Sequence, residues 1–272
     1  ISPHGPVMNN DNNPQEEDTR PFVAPCRTIA PSAPLRWLRK GWQDFRAAPG
    51  PSLIYGLMMV GLSYLITGAT WWFGNMGLYL GLISGFVFLG PILALNLYNI
   101  SIQLQQDRVP TLRESLRQAR QCMGDALTYT VIMIVVFLIW ARATNLIYIF
   151  YPVNEWHWKD IVLFFGVGSS VGAVFCAIIF TASVFSLPMI MDRRTDMVTG
   201  VITSINAVLR NKLALFVWAS LIGVCLLSGL LTAYLGLAVL LPVLGYATWH
   251  GYRESIDASA WEARFELPQE HH

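Results

Sequence analysis

The chain has 272 residues, 54% of them hydrophobic and only 13% charged, about half the charge of a typical soluble domain. A formal net charge of +1 leaves no basic footprint for nucleic acid. Long charge-free runs argue against a soluble fold, because helices made of them have no polar face to turn to water.

Residues 1–34 are polar and proline-rich (NNDNNPQEED, APCRTIAPSAP) and read as a disordered cytoplasmic tail. No cleavable signal peptide is expected there, and His271 and His272 at the other end enter no functional argument. Next comes WLRKGWQDFR, with Trp37, Leu38, Trp42 and Phe45 at helical spacing on its apolar side. Ala47 to Gln106 then contains no charge. At about 1.5 Å per helical residue and about 30 Å of hydrocarbon, that is room for two spans. The second of them carries Gly77, Gly81 and Gly85 at every fourth position, Pro91 in GPILALN, and Asn96 and Asn99 near its inner end.

The pattern then recurs. TLRESLRQAR has Leu112, Leu116 and Ala119 on its apolar side, and Ala126 to Trp140 supplies a third span, continued past Arg142 by TNLIYIFY. After YPVNEWHWKD, Ile161 to Met191 forms a fourth, with Gly168 and Gly172 inside it. It ends in SLPMIMD at Pro188, followed by Asp192, Arg193 and Arg194. VITSINAVLR, with Val201, Ile202, Ile205 and Val208 on its apolar side, leads into Leu213 to Tyr252. That run is read as two short spans around a tight turn near TAYLG, the last with Pro242 in LLPVLGY and His250 at its inner end.

The expected architecture is therefore an all-α membrane protein with six transmembrane helices. They form three parallel two-helix repeats, each preceded by a short amphipathic interfacial helix. The six-helix domain covers 35–256, and 257–272 is a cytoplasmic C-terminal tail. Each returning helix carries a proline, which lacks an N–H and is expected to bend the helix near its cytoplasmic exit. Lys and Arg lie mainly on one side of the spans, with Arg142 and Lys159 on the other, so both termini are placed in the cytoplasm. Trp71, Trp72, Tyr151, Trp156 and Trp158 fall where an interfacial aromatic belt belongs. The glycine spacings suit close helix packing, and packing within the monomer is preferred here to self-association.

Chemistry is sparse. Cys26, Cys122, Cys176 and Cys225 show no metal-ligand spacing and read as small hydrophobes. Arg142 is the best intramembrane ionisable group, with snorkelling to the outer interface as its structural reading. Asp192 is placed to cap or to pair with the arginines beside it. His250 reads as an interfacial histidine, and Asn96 and Asn99 as partners of backbone or neighbouring groups. His157 and His250 fall on opposite sides of the membrane and cannot share a metal. No HExxH, phosphate-binding loop, GxSxG or dinucleotide fingerprint is present. No catalytic residue, metal site or cofactor is assigned.

At SLPMIMDRRTDMVTGVITSINAVLRNKLALFVW and LLPVLGYATWHGYRES the sequence resembles a family of uncharacterised bacterial integral membrane proteins. WLRKGWQDFRAAPGPSLIYG and LNLYNIS fit it too, so the resemblance covers roughly Leu35 to Ile256. It implies the inner membrane of Gram-negative bacteria and no defined activity. Some members carry the label of cytochrome c oxidase subunits. A catalytic oxidase core would need several intramembrane histidines, and no span here has one in its interior. The expected role is a non-enzymatic accessory, assembly or scaffold factor of a membrane complex, with a respiratory oxidase as one such partner besides the lipid bilayer. The alternative is a transporter or channel for a small or lipophilic molecule, using a cleft between the helix pairs.

Overall fold

The computed structural model describes residues 21–73, 93–150 and 158–265. They form α1 (Ala33–Ala47), α2 (Pro49–Phe73), α3 (residues 93–105), α4 (Leu112–Gln121), α5 (Met123–Phe150), α6 (Trp158–Ser183), α7 (Ser186–Asp192), α8 (Met197–Arg210), α9 (Lys212–Leu231) and α10 (Leu237–Ser255). Among the described residues four segments are long and apolar enough to cross a membrane: Pro49–Ala69, Met123–Ala143, Phe165–Asp192 and Lys212–Leu231. Most of the second predicted span, with Gly77, Gly81, Gly85 and Pro91, lies outside the described residues. The sixth, α10, is apolar from Leu237 to Leu244 but then carries Tyr246, Thr248, Trp249, His250, Tyr252, Arg253 and Glu254. Its second half is a buried spine rather than a lipid-facing helix: Tyr246, Trp249 and Tyr252 are all enclosed by protein.

Local sequence explains the helix starts. Thr111 caps α4 by accepting the Glu114 N–H (3.4 Å), and Asp196 caps α8 by accepting the Thr199 N–H (3.1 Å). A single residue separates each amphipathic helix from the long helix after it: Ala48 before α2, Cys122 before α5 and Asn211 before α9. At each joint the linking N–H still bonds back into the amphipathic helix. The chain therefore turns without leaving buried polar backbone unsatisfied.

The amphipathic helices bury only part of the sides that hydropathy picks out: Trp37, Phe45 and Ala119 are enclosed, but the buried line is rotated toward small residues. Leu116 is 47% exposed and Trp42 45%, while the most buried line runs through Trp37, Gly41 and Phe45 on α1, Ser115 and Ala119 on α4, and Gly200, Thr203, Ser204 and Ala207 on α8. Gly41, Ser115 and Ser204 each stand seven residues before their joint. A small residue there lets a neighbouring helix come close. A Cβ on Gly41 would fall 2.5 Å from the Val243 carbonyl oxygen of α10. Ser115 Oγ accepts from Gln103 Nε2 of α3 (3.0 Å), and Ser204 sits between α6 and α7. Thus α4 leans on α3, α8 on α6 and α7, and α1 on α10, each amphipathic helix against the returning helix of the preceding pair.

Pro188 stands one turn after a break in its helix, and in a continuous helix its ring would clash with the Val184 carbonyl. The break comes earlier, at Val184 and Phe185, and Pro188 occupies the first turn of α7, where the missing N–H is not needed. Ser204 fills the break. In an unbroken helix the Phe185 N–H would reach the Thr181 carbonyl. Here the Ser204 hydroxyl accepts from Phe185 N (3.2 Å) and donates to Thr181 O (2.8 Å), an insertion into the helical ladder of the kind that kinks helices. Pro242, by contrast, sits inside α10, which continues through it. The Ala238 carbonyl that Pro242 cannot satisfy is approached closely by Gly56 of α2.

Trp37 lies where α1, α7, α9 and α10 meet, edge-on to Phe185 (6.2 Å) and Trp218 (5.8 Å), with its Nε1 donating to Glu254 (3.0 Å). Part of each predicted tail packs here as well. Residues 24–29 lie along α8 and the end of α10: Arg27 N donates to Ser255 O, Asp257 N to Pro25 O (both 2.8 Å), and Asn211 clasps Arg27 O and Ile29 N (both 2.9 Å). Residues 261–264 return beside 192–194. Ala24 and Trp261 supply the apolar contact that holds the two segments down.

Candidate functional site

Apart from Arg142, the polar residues singled out in the sequence gather at the end of the bundle that carries the amphipathic helices. They form three clusters, each of which ties separate helices together.

The first centres on Asp192, the last residue of α7. Its Oδ2 accepts from Arg193 Nε (3.0 Å), the Tyr252 hydroxyl (2.7 Å) and Arg253 Nη1 (3.1 Å), and its side chain is only 14% exposed. A carboxylate at a helix C-terminus opposes the helix dipole, and the two guanidinium groups offset that. Arg193 Nη1 donates to the Trp261 carbonyl (3.0 Å), so α7 grips the returning C-terminal segment. Arg194 instead faces Glu262 at 3.6 Å. Arg264 N donates to the Asp192 carbonyl (2.9 Å), and its guanidinium reaches Arg193 O (3.3 Å), Gln121 O (3.4 Å) and Asp125 Oδ2 (3.0 Å). One arginine beyond the last helix thereby bridges α7 to the α4–α5 joint.

The second joins α1, α3 and α10. His250 Nε2 lies 2.9 Å from Asp44 Oδ2, which also accepts from Ser101 Oγ (2.6 Å). A turn away, the Ser52 and Tyr246 hydroxyls meet at 2.6 Å and connect α2 to α10. The third joins α3 to α4. Asn99 Nδ2 donates to Gln118 Oε1, Gln103 Nε2 donates to Asn99 Oδ1 (2.5 Å), and Thr111 N donates to Gln103 Oε1 (3.1 Å). Asn96 is buried on the same helix. Glu114 and Arg117 close the exposed side, and the bond from Arg117 holds the Glu114 carboxyl below its ordinary range.

The remaining sequence candidates lie apart. Arg142 is exposed on α5 and outside all three clusters. Cys26 and Cys122 are buried, and burial pushes the Cys122 thiol up to about 11, so it is a poor nucleophile. Cys176 is exposed on α6 and Cys225 half-buried on α9. The described residues place nothing within 4 Å of a Cβ built on Gly168 or Gly172, so no packing role for that pair is seen among them. No group of three or more metal-ligating side chains occurs among the described residues.

Sequence reading missed Asp44, Ser101, Gln103, Ser204, Tyr252 and Arg264. Asp44 gave a signal, being the lone acid in WLRKGWQDFR. Arg264 gave none, because it lies in a stretch with no helical or apolar pattern.

Long apolar helices joined to amphipathic ones and stapled by polar clusters at one end define a multi-pass helical membrane protein. Residues 78–192 match a family model described as predicted integral membrane protein (DUF2189). The matched region takes in α3 to α7 and ends on Asp192 itself. No curated protein and no solved structure matches the chain.

Proposed function

We propose that the chain is a non-enzymatic accessory, assembly or scaffold protein of another membrane complex, seated in a bacterial inner membrane with both termini in the cytoplasm. The observation that carries this reading is the use to which the polar groups are put. Asp192, Arg193, His250 and Asn99 all bond across helix boundaries. Such groups make a rigid collar rather than a reacting centre. Exposed cations on all three amphipathic helices, among them Arg39, Arg46, Arg113, Arg120 and Arg210, stud its rim.

The reading includes the threefold repeat: α1–α3, α4–α7 and α8–α10 as three units about an axis along the membrane normal. The one-residue joints, the small residue seven places before each, and the cyclic leaning of each amphipathic helix support it. A second correspondence does too. Counted along the sequence, Asn99 and His250 each lie eight residues after their proline, Pro91 and Pro242, and each bonds a residue four before a joint, Gln118 and Asp44. Where the third such pair would fall, the chain has already left α7, and Asp196 caps α8 instead.

The transporter reading draws on one feature, a cavity of about 260 Å³ between α5, α6 and α8 lined by side chains such as Met133, Val136, Ile179 and Val201. Its wholly apolar lining would suit an acyl chain, not a polar solute. The test is isolation from native membranes in mild detergent with cross-linking mass spectrometry and a visible spectrum. A stoichiometric protein partner cross-linked to the collar is expected, and a haem band travelling with it would identify a respiratory complex. A lone protein carrying one specific small molecule would overturn the scaffold reading in favour of transport. A reporter fused after Ile256 should be active only in the cytoplasm; periplasmic activity would refute the topology.

A further inference from the structure

At the α8–α9 joint the N-terminal segment forms a wall. Thr28, Ile29 and Pro31, held by the Asn211 clasp, line with Arg210, Lys212 and Leu213 an open surface cavity of about 390 Å³. Arg210 and Lys212 flank the joint, are exposed, and make no ion pair among the described residues. Neither of the other joints has a cation on both sides. Below the cavity α9 presents an outward apolar stripe, Leu213, Phe216, Val224, Leu227 and Leu231, in which Leu213 is 70% and Phe216 72% exposed. With exposed Ser220 between Phe216 and Val224, these positions recur at spacings of three and four along a segment apolar enough to span a bilayer. A paired positive charge thus sits directly above a hydrocarbon-facing groove edge, at the level where a headgroup meets its acyl chains.

We propose that this cavity is a binding site for one anionic phospholipid, its phosphate between Arg210 and Lys212 and its acyl chains along the Leu213–Phe216 stripe. The N–H groups of the first turn of α9, which a helix leaves without internal partners, add to the positive field at the headgroup. A zwitterionic lipid would bring its own cation against Lys212 and bind less well. The site rests only on the membrane-integral class of the chain, not on the scaffold role.

The test uses the full-length protein in detergent, with thermal unfolding followed as phosphatidylglycerol, phosphatidylcholine or inorganic phosphate is added. Phosphatidylglycerol should raise the melting temperature saturably and phosphatidylcholine should not. Each cation near an anionic lipid surface contributes about 1 kcal/mol, so Arg210→Gln with Lys212→Gln should weaken the lipid's apparent affinity more than about tenfold. Arg39→Gln with Lys40→Gln, equally exposed on α1, should leave it unchanged. Equal loss in both double variants would mean diffuse surface charge and overturn the site. Stabilisation by inorganic phosphate to the same extent would make it a free-anion site and overturn the lipid assignment. If the Arg210/Lys212 variant does not fold, photo-cross-linking of wild-type protein with a phosphatidylglycerol analogue decides. Label on 209–216 supports the site, and label spread over the other helices refutes it.

Discussion

Gly56 gives the sharpest test of how α2 and α10 are held together. A methyl group on its α-carbon would lie 1.9 Å from the carbonyl oxygen of Ala238 and 2.9 Å from the Ala238 α-carbon. That oxygen is the one Pro242 leaves without a helical donor, so close approach by the glycine backbone covers it. A normal C–H···O contact is about 3.3–3.6 Å, so Gly56→Ala must push the helices apart by roughly 1.5 Å. Overpacking of this kind costs about 1–3 kcal/mol, and a gap of about 1 Å forfeits up to about half the dispersion energy across the interface. Gly61 on the same helix has open space around it among the described residues. There the same substitution should gain about 0.5–1 kcal/mol from helix propensity. The two variants should therefore differ by about 2–4 kcal/mol. At about 2–4 °C per kcal/mol for a chain of this size, that is roughly 5–15 °C in melting temperature. The assay is size-exclusion chromatography of the detergent-solubilised protein after heating. Equal melting temperatures for the two variants would refute the close crossing of α2 on α10.

Asp192→Ala should leave Arg193 half-buried without its carboxylate and cost about 1–3 kcal/mol. It should also speed tryptic cleavage at Arg264, whereas Asp192→Asn, which keeps an acceptor for Tyr252, should have a smaller effect. Ser204→Ala removes the hydroxyl that satisfies both Thr181 O and Phe185 N and should lower stability by about 1–3 kcal/mol; Ser204→Thr keeps the oxygen and should recover most of it. Arg142→Ala should change stability by no more than about 0.5 kcal/mol, and loss of folded protein from membranes would show instead that Arg142 holds the bundle together. Acid should act in part through Asp196. Burial raises its carboxyl, but the hydrogen bonds from Thr199 outweigh that and hold it below the ordinary 3.8. With a depressed folded-state value, its contribution is present above the unfolded value and is lost as pH falls through the folded one. Its share of the fall in melting temperature should come below about pH 4, and Asp196→Asn, still a good cap, should remove that share.

Hydropathy and charge in the sequence were enough to determine that this chain enters a membrane, about where four of its spans begin, and that amphipathic helices precede three of them. These properties are local: a charge-free run of sufficient length has no other stable environment. The joints at Ala48, Cys122 and Asn211 follow the same logic, since each marks the passage from a mixed to a purely apolar segment. Hydropathy picked out Trp37, Phe45 and Ala119 on the buried faces, but tertiary structure decided the small residues beside them on which each amphipathic helix crosses its neighbour. Gly41, Ser115 and Ser204 are chosen for smallness at a crossing point, and smallness carries no periodic signal until the partner helix is known. The break before Pro188 is a mixed case: the proline marks it in the sequence, but the group that satisfies the opened ladder is a serine on another helix. Asp192 stood out in the sequence, but of its partners only Arg193 is adjacent. Tyr252 and Arg253 lie about sixty residues away, brought in by a chain that folds back on itself. Short-range patterning fixes helices one at a time, whereas a polar cluster needs several of them in register.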